Sequence, residues 1–245
     1  MVSPGPYCHA YRLADGSRFH GNLRLFETDG RFAAFLADSH LPLIAQRIFG
    51  PRNERVNLFY DQLFVKESKS DAVTRWHNDL PYWPIEGNKV LSIWIAVDYT
   101  TLASGGLEFV AKSHLDGIFY QPVLFGEASG AEQYSINPDY RPIPDIDANR
   151  DKYEFLSWDL EPGDALVFHG LTVHGARGNQ ENRRRRGYTV RFCGDDVVSA
   201  GDKLGTHKAL RNPDLNAGDP LGDSPQHPLV YPPNVGKYLR RERKA

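Results

Sequence analysis

Residues 76–84 read Trp-His-Asn-Asp-Leu-Pro-Tyr-Trp-Pro, with His77-Asn78-Asp79 closing a strand-like run. Side chains alternate along an extended strand, so residues two apart share a face. An imidazole and a carboxylate on one face, joined by a second imidazole from a distant strand, put three ligands on one side of a metal. The other side stays open to small molecules, the arrangement of non-haem Fe(II) oxygenases. His-x-Asp alone is a weak signal, because many such pairs are surface residues. The rest of the chain must supply the second imidazole and a fold to carry it.

At 245 residues the chain is long for one domain but within the range of single β-barrels and sandwiches. Neither a repeat nor a linker divides it, and one domain over residues 1–245 is expected. Hydrophobic residues at 40% and aromatics at 12% suffice for a sizeable core. The balance of 29 basic and 31 acidic residues gives no electrostatic case for nucleic acid. No apolar run reaches membrane-spanning length, and the amino terminus lacks a signal pattern. The two cysteines, Cys8 and Cys193, make no disulfide framework and fit a reducing compartment. The expectation is a soluble, cytoplasmic protein with a small-molecule substrate and neither a membrane nor a nucleic-acid partner. Nothing in the sequence sets an oligomeric state.

Outward from residues 76–84, the pattern alternates between strands and turns. On the amino-terminal side, residues 1–25 are mixed, with an Asp15-Gly16 turn signal and little sign of function. Phe32, Phe35, Leu36, Leu43, Ile44 and Ile48 have helical spacing, broken at Asp38-Ser39, with Ser39 as an N-cap and Gly50-Pro51 as the stop. Val56 to Lys66 is a strand whose one face carries Tyr60, Gln62, Phe64 and Lys66, with Gln62 the odd polar member. On the carboxyl side, Lys89 to Asp98 is almost continuously apolar, which predicts burial on both faces. Leu107 to Val110 and Ala165 to Phe168 are further short strands. Residues 115–156 are rich in proline and aromatics, without a period, and read as a lid or binding loop. The tail ends in basic residues, read as a solvated helix or frayed terminus. Short strands between Gly/Pro turns, after a helical front, predict a mainly β fold: a double-sheet jelly roll with helices on one outer face.

His169 and His174 compete for the third ligand position. Five residues apart, they would face opposite sides of one continuous strand. A bidentate co-substrate needs a guanidinium at the far end of its pocket to clamp a carboxylate. The strand after His174 carries Arg185, Gly187, Thr189 and Arg191 on one face and Arg184, Arg186, Tyr188, Val190 and Phe192 on the other. Proximity to this strand favours His174. His169 then reads as a buried histidine bonded to backbone. At least three of Arg183 to Arg186 read as a solvated basic turn.

Several motifs in order resemble the phytanoyl-CoA dioxygenase family over about residues 45–235. They are Asp61-Gln62 to Lys66, His77 to Pro84, Leu91 to Ala96, Gly105 to Val110 with Ser113-His114, Pro162-Gly163-Asp164, and Phe168 to Gly175 with the arginine strand after it. The resemblance implies a double-stranded β-helix (jelly roll, cupin-like) with flanking α-helices. It implies an Fe(II)- and 2-oxoglutarate-dependent oxygenase that consumes O2 and releases succinate and CO2. His77, Asp79 and His174 match the iron ligands, and Arg185, eleven positions after His174, matches the arginine for the distal carboxylate of 2-oxoglutarate. Trp94 and Gln62 match positions lining the co-substrate pocket. Relatives often carry a small hydroxyl residue where this chain has Ala176, and the front end is short for the family. Retention of Asp79 points to hydroxylation or a related oxidation, because halogenating relatives lack this carboxylate. Two other classes compete: a metal-dependent hydrolase or cupin-type enzyme that needs no Arg185, and a non-catalytic jelly-roll binding protein.

Overall fold

The computed structural model of the chain describes residues 8–12, 18–123, 134–233 and 238. It opens on an antiparallel hairpin, β1 (Cys8–Arg12) and β2 (Arg18–Leu23). The Asp15-Gly16 turn signal, part of the 115–156 loop and, Tyr238 apart, the basic tail lie outside the described residues. Helices α1 (Leu25–Thr28), α2 (Gly30–Asp38) and α3 (Leu41–Phe49) follow. The break falls where the sequence puts it. The Ser39 hydroxyl accepts from the Leu41 N–H at 3.4 Å, although His40, one residue later than expected, is the N-cap of α3. Gly50, at φ 98°, ends α3 in a conformation that favours glycine.

The remaining strands are β3 (Val56–Lys66), β4 (Thr74–His77), β5 (Ile85–Glu86), β6 (Val90–Ala96), β7 (Leu107–Val110), β8 (Phe155–Leu156), β9 (Ala165–His169), β10 (His174–Ala176), β11 (Arg185–Cys193), β12 (Val198–Ser199) and β13 (Leu229–Tyr231). The large sheet runs β1-β2-β3-β11-β6-β9, with β13 also on β3; the small one runs β4-β10-β7-β8. This is the expected double-stranded β-helix with flanking helices. In the large sheet, Thr189 of β11 lies between Gln62 of β3 and Trp94 of β6, and Arg191 lies between Tyr60 and Ser92. Alternation, reset by a bulge in β3 between Leu58 and Tyr60, therefore sorts the sheet into two faces. Leu58, Ile93, Tyr188, Val190 and Phe192 form one, and on it pack Leu36, Leu41 and Ala45 of the helices. The other carries Tyr60, Gln62, Trp94, Arg185, Thr189 and Arg191 and lines a pocket shared with His77 and His174 of the small sheet. Among the described residues no helix is long and apolar enough to cross a membrane.

Candidate metal centre

Strand β4 ends at His77 and β10 begins at His174, and these two residues are register partners. Their rings stand 4.3 Å apart, centroid to centroid. Asp79 reaches them by a route that alternation does not describe. The strand stops at His77, and Asp79 is helical (φ −74°, ψ −42°), leading into a 3-10 turn over Leu80–Tyr82. The Leu80 N–H donates to the Gly170 carbonyl at 2.8 Å and pins that turn. The shared-face argument thus names two residues that do lie together, but a turn rather than a strand face brings them there. One ligand atom from each of His77, Asp79 and His174 lies within 4.8 Å of the others, and all three residues are buried.

The hydrogen bonds fix the tautomers. Nδ1 of His77 lies 2.8 Å from the Arg75 carbonyl, and Nδ1 of His174 lies 2.9 Å from the Thr172 carbonyl. A carbonyl only accepts, so each Nδ1 carries a proton, and Nε2 is the ring nitrogen that would meet a metal. Burial, reinforced by His77, pushes His174 down to about 4, which keeps it neutral at physiological pH. Burial alone would push the Asp79 carboxyl up. Arg191, then His77 and His174, outweigh it and hold the group well below the usual carboxylate range. The Ser92 hydroxyl donates to Asp79 Oδ2 at 3.0 Å and orients it. Two imidazoles and a carboxylate, each oriented by a further hydrogen bond, suit a divalent first-row metal.

Strand β11 builds the rest of the pocket. Arg185 is 2% exposed, and its Nη2 donates to the Gly105 carbonyl. Burial pushes Arg185 down to about 10, with Asp98 opposing, so it stays cationic at neutral pH. The Trp94 ring centroid is 5.6 Å from the Arg185 guanidinium carbon. Gly187 makes that arrangement possible, since a Cβ there would stand 2.1 Å from the indole. Gln62 lines the same pocket, so all six residues expected at the site meet in one cavity. Among the described residues, Arg185 Nε, Thr189 Oγ1, and Arg191 Nε and Nη1 are buried without a hydrogen-bond partner. Buried polar groups are seldom left unsatisfied, and this row of orphaned atoms on one strand face calls for a polar ligand.

The neighbouring arginines point elsewhere. Arg183 pairs with Glu181, Arg184 makes two 2.8 Å bonds to Glu67, and Arg186 forks onto Asp98. His169 is bound to backbone on both sides: Nδ1 accepts from the Leu171 N–H at 3.1 Å, and Nε2 lies 2.8 Å from the Asn88 carbonyl. Four residues at or beside the pocket went without a role in the sequence. Ser92 is a hydroxyl inside a nearly apolar strand, the kind of signal already read at Gln62. Thr189 and Arg191 share the face of Arg185. Lys66, fully buried, donates to the carbonyls of Ala176 and Arg177 and ties β3 to the end of β10.

Comparison with known proteins agrees with this geometry. The family model for phytanoyl-CoA dioxygenase (PhyH) matches residues 12–187. A "Probable phytanoyl-CoA dioxygenase" of Caenorhabditis elegans is 26% identical over 131 residues, covering 53% of this chain and 39% of that protein. The chain thus aligns with well under half the length of this relative. Among solved structures, the non-heme alpha ketoglutarate dependent carbocyclase SnoK superposes with TM-score 0.67 at 21% identity, over 86% of this chain and 76% of its own. The epimerase SnoN, in complex with Fe3+, alpha ketoglutarate and nogalamycin RO, superposes with TM-score 0.65 at 18% identity, over 91% and 83%. At these identities the superpositions establish the fold.

Proposed function

The chain belongs to the phytanoyl-CoA dioxygenase family, and from that membership we propose that it is an Fe(II)- and 2-oxoglutarate-dependent dioxygenase that hydroxylates a small-molecule substrate. One observation carries the reading: three buried metal-ligating atoms within 4.8 Å share a cavity with orphaned donors on β11. A hydrolytic metal site would need the first feature alone.

His77 and His174 would hold the metal through Nε2, and Asp79 through its carboxylate. Arg185 would take the distal carboxylate of 2-oxoglutarate, with its orphaned Nε as one donor and Trp94 and Gln62 walling the co-substrate. The Thr189 hydroxyl lies on the same face and adds a donor. When bound, Fe(II) and 2-oxoglutarate supply the oxidising chemistry, consuming O2 and yielding succinate and CO2 as the substrate is oxidised. The protein's own contribution is orientation and exclusion of water. Ser92 fixes the Asp79 carboxylate, the two carbonyls fix the imidazoles, and Tyr82, Trp83 and Phe168 close the cavity. Asp79 fills the ligand position that a halide would need, which favours hydroxylation over halogenation. Two cysteines and no disulfide framework fit a cytoplasmic setting for this chemistry. The test is succinate release from the Fe(II)-loaded protein across a metabolite library. Stimulation by at least one compound, lost in Asp79→Ala, is expected; no stimulation by any metal and co-substrate combination would contradict the reading.

A further inference from the structure

Arg191 is left over once the co-substrate has its clamp. It lies six residues beyond Arg185 on the same face of β11, so at about 3.3 Å per residue their backbones stand roughly 20 Å apart. The Arg191 guanidinium carbon sits 4.3 Å from the Tyr60 ring centroid, and the residue is 4% exposed. Its Nε is 3.6 Å from Asp79 Oδ2, too far for a hydrogen bond, and Ser92 bonds that oxygen instead. Nε and Nη1 therefore have no hydrogen-bond partner among the described residues, although both are buried at the pocket wall.

Charge counting gives the same result. The Asp, Glu, Lys and Arg side chains lining the pocket, among the described residues, are Asp79, Arg185 and Arg191. Fe(II) and the 2-oxoglutarate dianion cancel, and Asp79 cancels one guanidinium. One positive charge remains, buried and short of acceptors, and such a charge is costly unless an anion meets it. Tyr60, which lies against Arg191, belongs to one cluster with Tyr82, Trp83 and Leu210, and this stretch of pocket wall suits an apolar or aromatic body.

We propose that Arg191 binds a carboxylate of the prime substrate, so that the enzyme oxidises an organic acid whose apolar body lies against Tyr82, Trp83 and Leu210. The inference rests on the oxygenase reading above. Its test uses binding alone. The anaerobic Fe(II) protein, saturated with 2-oxoglutarate, is titrated with aryl- and alkylcarboxylates such as 3-phenylpropionate, and separately with the matching primary amides. The readout is the shift of the Fe(II)–2-oxoglutarate charge-transfer band. A shift reports occupancy beside the co-substrate, whereas loss of the band reports displacement from Arg185. The acids should bind at least about tenfold more tightly than their amides, the scale of one charge-assisted pair. Arg191→Gln should bring that ratio to about one, and Arg191→Lys should restore part of it. Equal binding of acids and amides, no shift by any acid, or an undiminished ratio in Arg191→Gln would overturn the proposal. So would a loss of 2-oxoglutarate affinity in Arg191→Gln as steep as in Arg185→Leu, which would place Arg191 in the co-substrate site. If Gln and Lys variants both fail to retain iron, Arg191 is a counter-ion to Asp79 and the proposal falls. Absence of the band from the wild-type protein would instead defeat the oxygenase reading itself.

Discussion

Asp79 is gripped by unlike neighbours: the Ser92 hydroxyl at 3.0 Å, His77 Nε2 at 3.5 Å and Arg191 Nε at 3.6 Å. Removing the carboxylate should abolish iron retention with little loss of fold, since it lies in a pocket wall. Removing only the Ser92 hydroxyl should weaken metal affinity by about 10- to 100-fold, the usual effect of losing a bond that orients a ligand. Metal content after dialysis against graded chelator measures both. His174→Ala should be inactive, whereas His169→Ala should keep measurable turnover, because its ring is tied to backbone on both sides. For the co-substrate, Arg185→Leu should cost on the order of 2–5 kcal/mol, raising the 2-oxoglutarate dissociation constant from about 30- to several-thousand-fold. Arg183→Leu should change it little, because that side chain spends its charge on an exposed pair. A titration of each variant decides between them. The residues of the site were readable because their chemistry is unusual in place: a glutamine in an apolar strand, and one arginine of four facing inward. Asp79 was grouped with the two histidines, where the structure also puts it, on a faulty premise. Spacing in sequence cannot reveal that a strand stops at the first ligand and turns before the second.

At the scale of elements, β11 does most of the positioning. It is continuous from Arg185 to Cys193, so alternation set its faces correctly, and the bulge opposite β3 comes only after Arg191. Gly187 lets the Trp94 indole lie against this strand. Gly187→Ala should force the ring aside, cost about 1–3 kcal/mol, and loosen 2-oxoglutarate binding more than that stability loss explains. Beneath the same strand, Asp61 of β3 accepts from Tyr188 Oη at 2.7 Å and from the Phe26 N–H at 3.2 Å, joining β3 and β11 to α1. Burial pushes Asp61 up to about 6, against those hydrogen bonds. A carboxyl with a raised folded-state pKa contributes most below its unfolded value near 4, and its contribution falls as pH climbs through about 6. The cost of ionising it is on the order of 3 kcal/mol, so Asp61→Asn should flatten part of the stability profile between pH 4 and pH 7. Urea midpoints of the metal-free wild type and variant across that range check this, and parallel profiles would refute it. The β1–β2 hairpin escaped the sequence reading. Cys-His-Ala-Tyr-Arg and Arg-Phe-His-Gly-Asn-Leu lack a sustained apolar alternation, and β2 gains its place by pairing with β3.

For the molecule as a whole, the fold does one thing that neither sheet does alone. The small sheet and the turn after β4 bring the candidate metal ligands, and the large sheet brings the cationic strand, with the pocket between them. The architecture was readable from the order of strands and turns, because a double-sheet roll leaves that pattern in any sequence. The prime substrate was not, because the pocket wall includes Tyr134 and, from a single 3-10 turn, His207 and Leu210, segments too short to show a period. The central claim is that both halves serve one metal and one co-substrate. Anaerobic titration of the Fe(II)-loaded protein with 2-oxoglutarate, followed by visible absorption, tests it most directly. The account predicts a charge-transfer band that needs both iron and 2-oxoglutarate, saturates at one equivalent, and is lost in Asp79→Ala and strongly weakened in Arg185→Leu. A protein that binds iron tightly yet gives no such band at any 2-oxoglutarate concentration would contradict it.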